Sequence, residues 1–188
     1  MGGQDKGLLC IDGRPLVVQV IDAVRPQVGS LLINANRNLD RYRALGYPLV
    51  TDLLEGYLGP LAGMASAMQA TVTPYCLFVP CDSPLVPSDL CARLYHDLEA
   101  AGADVSVAHD GHRMHPVLAL LRRALLLDLL DYLGKGRRKT GAWYREHRLV
   151  LSDFSDRPEG FLNINCAEDL AALETSGQGA EAGSAGTA

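Results

Sequence analysis

Residues 75–84 read YCLFVPCDSP, and no other stretch constrains the fold as much. An unbroken apolar run ends at turn residues and then at an acid, Asp82. A short run that is apolar on both faces is the pattern of a strand buried inside a parallel sheet. Parallel strands need crossover connections, which are usually helices. The rest of the chain supplies that alternation. RPLVVQVIDAV carries apolar residues at helical spacing, with Pro15 at its expected first position. SLLINAN reads as a buried strand ending in asparagines, and YPLVTD as a second strand ending in Asp52. GPLAGMASAMQA is a glycine-led turn into a small-residue helix.

The second half keeps the rhythm. PSDLCARLYHDLEAAGA predicts a helix capped by Ser88 and stopped by Gly102. DVSVAHDGHRMHPVLALL predicts two strands joined at Asp110-Gly111, a strong hairpin signal. A leucine-rich helix, a basic loop GKGRRK, a short helix around Trp143 and a strand near LVLSDF follow. FLNINCAEDLAALE reads as a strand whose Asn165 caps a terminal helix. The expected organisation is one α/β domain over residues 1–174 and a disordered, low-complexity tail over 175–188.

Composition narrows the function classes. The net charge is −5, and 17 Lys+Arg spread along the chain assemble no broad basic face for a nucleic acid. Apolar runs such as ALLLDLL are too interrupted to span a bilayer. The start is polar and glycine-rich, unlike a signal peptide. The five cysteines form no CxxC pair and fit reduced thiols, so the expected location is cytoplasmic, with neither a membrane nor a nucleic acid as partner.

Three expected strand ends carry polar residues: Asn34, Asp52 and Asp82. Carboxyl ends of parallel strands line a common crevice where ligands bind, so the three are expected to converge. The opening MGGQDK belongs at the same edge. Gly2 and Gly3 let backbone approach an anion, and Lys6 neutralises phosphate charge, unless the segment is simply a frayed terminus. Asp82 either closes a turn or binds a hard cation that bridges phosphate oxygens; the cation reading is preferred. Asp52 accepts hydrogen bonds from a nucleoside or merely ends its strand. Asn34 and Asn36 read a base edge or shape a turn. His109, His112 and His115 recur every third residue, a spacing that does not put all three on one face of a hairpin. Of these, His115 before Pro116 is the one expected near substrate. A zinc site at Cys76 and Cys81 is disfavoured because no second pair stands at zinc spacing. KGRRK is a solvated loop or a contact for an anionic substrate.

Taken in order, MGGQDK, INANRN, GPLAGM, PCDSPLVPSDL, HPVLAL and FLNINCAEDL resemble the molybdenum cofactor guanylyltransferase family, over residues 1 to about 174. The resemblance implies a Rossmann-like three-layer sandwich of nucleotidyltransferase type with a mainly parallel sheet. It implies transfer of GMP from GTP to molybdopterin with Mg2+ as cofactor, and contacts with molybdoenzymes or their maturation chaperones. It places Lys6 on the triphosphate as a catalytic residue and Asn34 and Asp52 on the nucleotide. Asp82 it makes the catalytic Mg2+ and GTP ligand. Asn163 and Asn165 match a late Asn-x-Asn element near the substrate, with second rank. The alternatives are a cytidylyltransferase acting on a pterin or sugar alcohol phosphate, and a non-catalytic nucleotide-binding partner in cofactor delivery. The family's sequences begin with a hydrophobic strand and a Leu-Ala-Gly-Gly loop upstream of the Met-Gly seen here. The expectation is therefore that the start lies upstream of Met1, and that the sheet as written lacks its first strand. Two neighbouring strands would then lose a partner, at ~1–3 kcal/mol for each unpaired buried backbone group.

Overall fold

The alternation of short apolar runs and amphipathic stretches becomes an alternation of strands and helices. The computed structural model describes residues 5–53 and 59–161. In chain order its elements are β1 (Cys10–Ile11), β2 (Arg14–Pro15), α1 (Leu16–Val24), β3 (Ile33–Asn34), α2 (Leu39–Arg43), β4 (Leu49–Val50) and α3 (Pro60–Gln69). There follow β5 (Tyr75–Phe78), α4 (Leu90–Ala100), β6 (Val105–His109), β7 (Met114–Arg122), α5 (Leu126–Gly134), α6 (Thr140–Tyr144) and β8 (Leu149–Asp153).

Four strands form one sheet in the order β5-β7-β6-β8. β7 is antiparallel to both β5 and β6, whereas β6 and β8 are parallel, so three of the four strands share a direction and β7 alone is reversed. The reversal follows from the Asp110-Gly111 hairpin, whose connection is too short for a crossover. β3 and β4 form a separate parallel pair, Ile33 opposite Leu49 and Asn34 opposite Val50. Among the described residues β3 pairs only with β4, and β5 only with β7.

Alternation along β7 sends side chains to two cores. On one face Ala119 and Leu121 pack with Leu61, Met64 and Met68 of α3, Leu129 and Leu133 of α5, and Trp143 and Tyr144 of α6. On the other, Leu118 and Leu120 meet Val20 and Val24 of α1 and Leu90, Leu94 and Leu98 of α4. The result is three layers, helix–sheet–helix, as expected for an α/β domain. A smaller cluster joins Val17 and Ile21 of α1 to Ile33, Tyr42, Ala35 and Cys81.

Several local expectations need correction. The 75–84 strand ends at Phe78, and of its four residues only Cys76 is buried. It lies at a sheet edge, where an unbroken apolar run does not guarantee full burial. Ser88 does not cap α4: Asp89 holds the cap position and makes no side-chain cap bond. Its carboxylate instead takes Arg93 at 2.9 Å. Pro15 precedes α1 as its N-cap residue rather than opening it. A small antiparallel hairpin, β1 to β2, turns at Asp12-Gly13 with φ of 51° and 74°. Asp-Gly is its ordinary signal, and the sequence reading passed over it. Gly102, by contrast, does end its helix, with its N–H on the Glu99 carbonyl at 3.0 Å. Asn163, Asn165, the expected terminal helix and the 175–188 tail lie outside the described residues.

Two buried polar contacts hold the β6–β7 hairpin. Tyr144, wholly buried, donates its hydroxyl to the Pro116 carbonyl at 2.7 Å. Asp110 accepts the backbone N–H groups of His112 and Arg113, both at 2.8 Å. Burial opposes ionisation of this carboxyl. The Arg113 N–H, the His115 ring and the His112 N–H together outweigh burial and hold it well below the usual carboxylate range.

Tyr144→Phe should lower stability by about 1–2 kcal/mol, read from urea unfolding, because the Pro116 carbonyl loses its only tyrosine donor. Asp110→Asn should cost about 1–3 kcal/mol at neutral pH. Because the folded-state value of Asp110 is depressed, its contribution is full above the unfolded-state value and disappears as pH falls towards the folded one. The gap between wild type and Asp110→Asn should therefore narrow below pH ~4. A gap that stays constant from neutral pH down to about 3 would contradict this.

Candidate nucleotide-transfer site

Lys6 begins a short 3-10 turn, Lys6–Leu8, directly after Asp5. Its ammonium lies 3.2 Å from Oδ2 of Asp82, with the Asp82 side chain mostly covered and Lys6 about half exposed. Two features set that distance. Asp5 accepts the Tyr42 hydroxyl at 2.7 Å and the Asn38 amide at 2.9 Å, and pairs with Arg37 at 3.6 Å, which ties the loop to α2. Gly7 then passes so close to α2 and to the loop after β5 that a Cβ there would stand 2.6 Å from the Tyr42 hydroxyl oxygen and 3.2 Å from the Cys81 Cβ. Only glycine fits. Burial first, and then the hydrogen bond to Asp5, raises the Tyr42 phenol far above its ordinary range, so it remains a neutral donor.

Asn34 and Asp52 form a second pair, amide to carboxylate at 3.1 Å. Asn36 accepts the Asp52 backbone N–H at 2.8 Å. The first turns of α3 press against them: a Cβ on Gly63 would lie 2.6 Å from Asn34 Oδ1 and 3.4 Å from Asp52 Oδ1. Ser66 of the same helix accepts the Leu53 N–H at 2.9 Å, which fixes the chain just past Asp52. Ala35 and Cys81, the neighbours of Asn34 and Asp82, pack in one cluster. Two of the strand ends picked out in the sequence thus adjoin one apolar cluster, and the third, Asp52, is bonded to Asn34. Asn34 is exposed, Asp52 half-buried and Asp82 buried.

Other candidates are placed elsewhere. His109 accepts the Gly111 N–H through Nδ1, His112 is exposed, and His115 bonds Asp110, so the three rings do not converge. Cys76 sits in the core between the sheet and α3, away from the cluster that holds Cys81. Burial, followed by the charges of Asp82 and Asp5, pushes the Cys81 thiol up to about 11, which keeps it protonated and a poor metal ligand. In the basic loop, Arg137 is taken by Glu146 and the Tyr132 ring, and Lys135 by Asp131, so those two charges are spent locally. Gly2 and Gly3 lie outside the described residues. Asp5, Arg37, Tyr42, Gly7 and Gly63 were missed by the sequence reading. An acid directly before Lys6 was the one visible hint.

Among the described residues no three His, Cys, Asp or Glu side chains gather to cage a metal. A lone carboxylate with a cation already drawn to one oxygen fits a hard ion that completes its shell with phosphate and water. It does not fit a structural zinc.

Residues 1–150 match the family described as MobA-like NTP transferase domain. A molybdenum cofactor guanylyltransferase from Shewanella loihica is 47% identical over 168 residues, which is 89% of this chain and 86% of the relative. The fold is shared with a solved molybdopterin-guanine dinucleotide biosynthesis protein A from Archaeoglobus fulgidus, at TM-score 0.74 and 21% identity over 94% of this chain and 92% of the other. It is also shared with 2-C-methyl-D-erythritol 4-phosphate cytidylyltransferase from Thermus thermophilus, at TM-score 0.67 and 20% identity over 92% and 94% of the two chains. The matched segment holds Lys6, Asn34, Asp52 and Asp82, and with it this chain belongs to the MobA-like NTP transferase family, as a nucleotidyltransferase.

Proposed function

We propose that this protein transfers GMP from GTP to the terminal phosphate of molybdopterin, giving the guanine dinucleotide cofactor and pyrophosphate. The observation that carries the reading is that the Lys6–Asp82 pair and the Asn34–Asp52 pair adjoin the same small apolar cluster. One pair suits a triphosphate, the other a nucleoside. The guanine and the molybdenum cofactor rest on the 47% identical relative, a molybdenum cofactor guanylyltransferase.

In the reaction an oxygen of the acceptor phosphate attacks the α-phosphorus of GTP. The bond from that phosphorus to the α,β-bridging oxygen breaks, and pyrophosphate leaves with the electron pair. A phosphate monoester is largely dianionic near neutral pH, so its oxygen needs no general base. Lys6 exchanges its partner, leaving Asp82 for the β- and γ-phosphate oxygens, where it offsets charge that grows on the leaving group. Asp82, left by Lys6, is the residue that would hold Mg2+, and the ion would supply positive charge to neutralise the triphosphate. Asp52 accepts hydrogen bonds from the nucleoside, and Asn34 and Asn36 each offer both a donor and an acceptor to it. Held in line, the two phosphates react within one complex, so most of the acceleration comes from position and charge.

Asp82→Ala should reduce pyrophosphate release by about 10²–10³-fold or more while thermal unfolding stays close to wild type. Turnover like wild type in that variant would exclude the role. Supplied with molybdopterin and one nucleotide at a time, the protein should release pyrophosphate from GTP in preference to CTP and ATP. A preference for CTP would move the assignment to a cytidylyltransferase. GTP binding without any pyrophosphate would make it a non-catalytic carrier.

A further inference from the structure

The nucleotide's side of the edge is accounted for by β3, β4 and β5, but the acceptor's phosphate has no group assigned to it. The reversed strand supplies one. Because Phe78 pairs with Ala119, the beginning of β7 lies beside the carboxyl end of β5, from which the chain runs on to Asp82. His115 stands in that beginning, four residues before Ala119, and Asp82 stands four residues past Phe78. The loop past Asp82 and the segment after β8 also meet there: a Cβ on Gly160 would stand 3.0 Å from Pro87 and 3.1 Å from the Leu85 carbonyl.

His115 is held in a fixed pose. Its Nε2 lies 2.7 Å from Asp110 Oδ2, both side chains are nearly covered, and its ring lies against Phe161 with centroids 5.0 Å apart. The other carboxylate oxygen of Asp110 already accepts two backbone N–H groups. An ionised carboxylate only accepts, so Nε2 of His115 carries a proton. Nδ1 has no hydrogen-bond partner among the described residues, and no polar side-chain atom there is both buried and unpartnered, so Nδ1 reaches solvent. The charged groups at the ring are Asp110 and, 3.9 Å beyond it, Arg113; Phe161 on the ring's face is neutral. When the ring is protonated both nitrogens donate, Nε2 to Asp110 and Nδ1 outward. This is the arrangement that orients a histidine for work at its far nitrogen.

We propose that His115, oriented by Asp110, binds the phosphate monoester of the acceptor through Nδ1–H. The bond goes to a non-attacking oxygen, so that another oxygen faces the α-phosphorus. No proton is transferred in this role, and the ring is a binding and positioning group. The assignment rests on the nucleotidyl-transfer reading for the identity of the acceptor, but not for the binding of phosphate.

Two measurements on the full chain test it. In imidazole ¹⁵N NMR without GTP, added inorganic phosphate should shift the Nδ1 resonance of His115 and leave His96 and His147 in place. An unmoved His115 resonance overturns the proposal. His115→Gln keeps an amide nitrogen where Nε2 stood, so the contact to Asp110 and the unfolding temperature should persist, but the Nδ1 donor is lost. Its KM for molybdopterin should rise about 10- to 100-fold while its KM for GTP stays within about twofold. An unchanged acceptor KM, or an equal rise in both constants, would overturn the role. If the wild type released no pyrophosphate at all, the transfer reading would fall and the phosphate titration alone would decide the role of His115.

Discussion

The 3.2 Å between the Lys6 ammonium and the Asp82 carboxylate is kept by backbone fixed from both sides. On one side Asp5 binds Tyr42 and Asn38 of the α2 region, so the residue before Lys6 cannot drift. On the other, the small cluster of Ile33, Tyr42 and Cys81 sets the chain that delivers Asp82. Gly7 lies where the two sides touch, and its missing Cβ is what allows them to touch. Any side chain larger than hydrogen at residue 7 would push the loop, and Lys6 with it, away from Asp82.

Sheet direction explains why polar groups distant in sequence assemble here. β3 and β4 end together at Asn34 and just short of Asp52, and β5 ends just short of Asp82. β7 contributes from its beginning instead, because the tight hairpin at Asp110 reverses it. One edge therefore receives three strand ends and one strand start. The nucleoside pair and the Lys6–Asp82 pair thus stand at or beyond strand ends, and the Asp110–His115 pair at a strand start.

What could be read in the sequence was what repeats locally. Apolar runs closed by polar residues marked Asn34, Asp52 and Asp82, and Asp110-Gly111 marked the hairpin that carries His115. Contacts across long sequence separations were not legible. Asp5 is 37 residues from Tyr42, and nothing at either position signals the other. Gly63 looked like an ordinary small residue of a helix, whereas its role is to let α3 reach Asn34 and Asp52. The burial of residues 75–78 was overestimated because composition reports how apolar a strand is but not how many neighbours it has. Ser88 lost the cap position to Asp89 because the Arg93 cluster, which also holds Asp156 at 2.7 Å, draws that acid to the start of α4.

The charges at the edge bear on how a protein of net charge −5 accepts two polyanions. Lys6 is paired with Asp82, and Arg37 with Asp5, so neither cation faces solvent as a bare charge. In each pair the carboxylate is mostly covered and the cation about half exposed, so water weakens the attraction from the cation's side. A triphosphate offers an ammonium several anionic oxygens in place of one, and a divalent ion is a stronger partner for a carboxylate than an ammonium is. Exchange of partners is therefore downhill for both members of the Lys6–Asp82 pair when nucleotide and metal arrive together. Either arriving alone leaves one member of the pair without a counter-charge. On the proposed function, the ion pair would thus favour a metal–nucleotide complex over its separate parts.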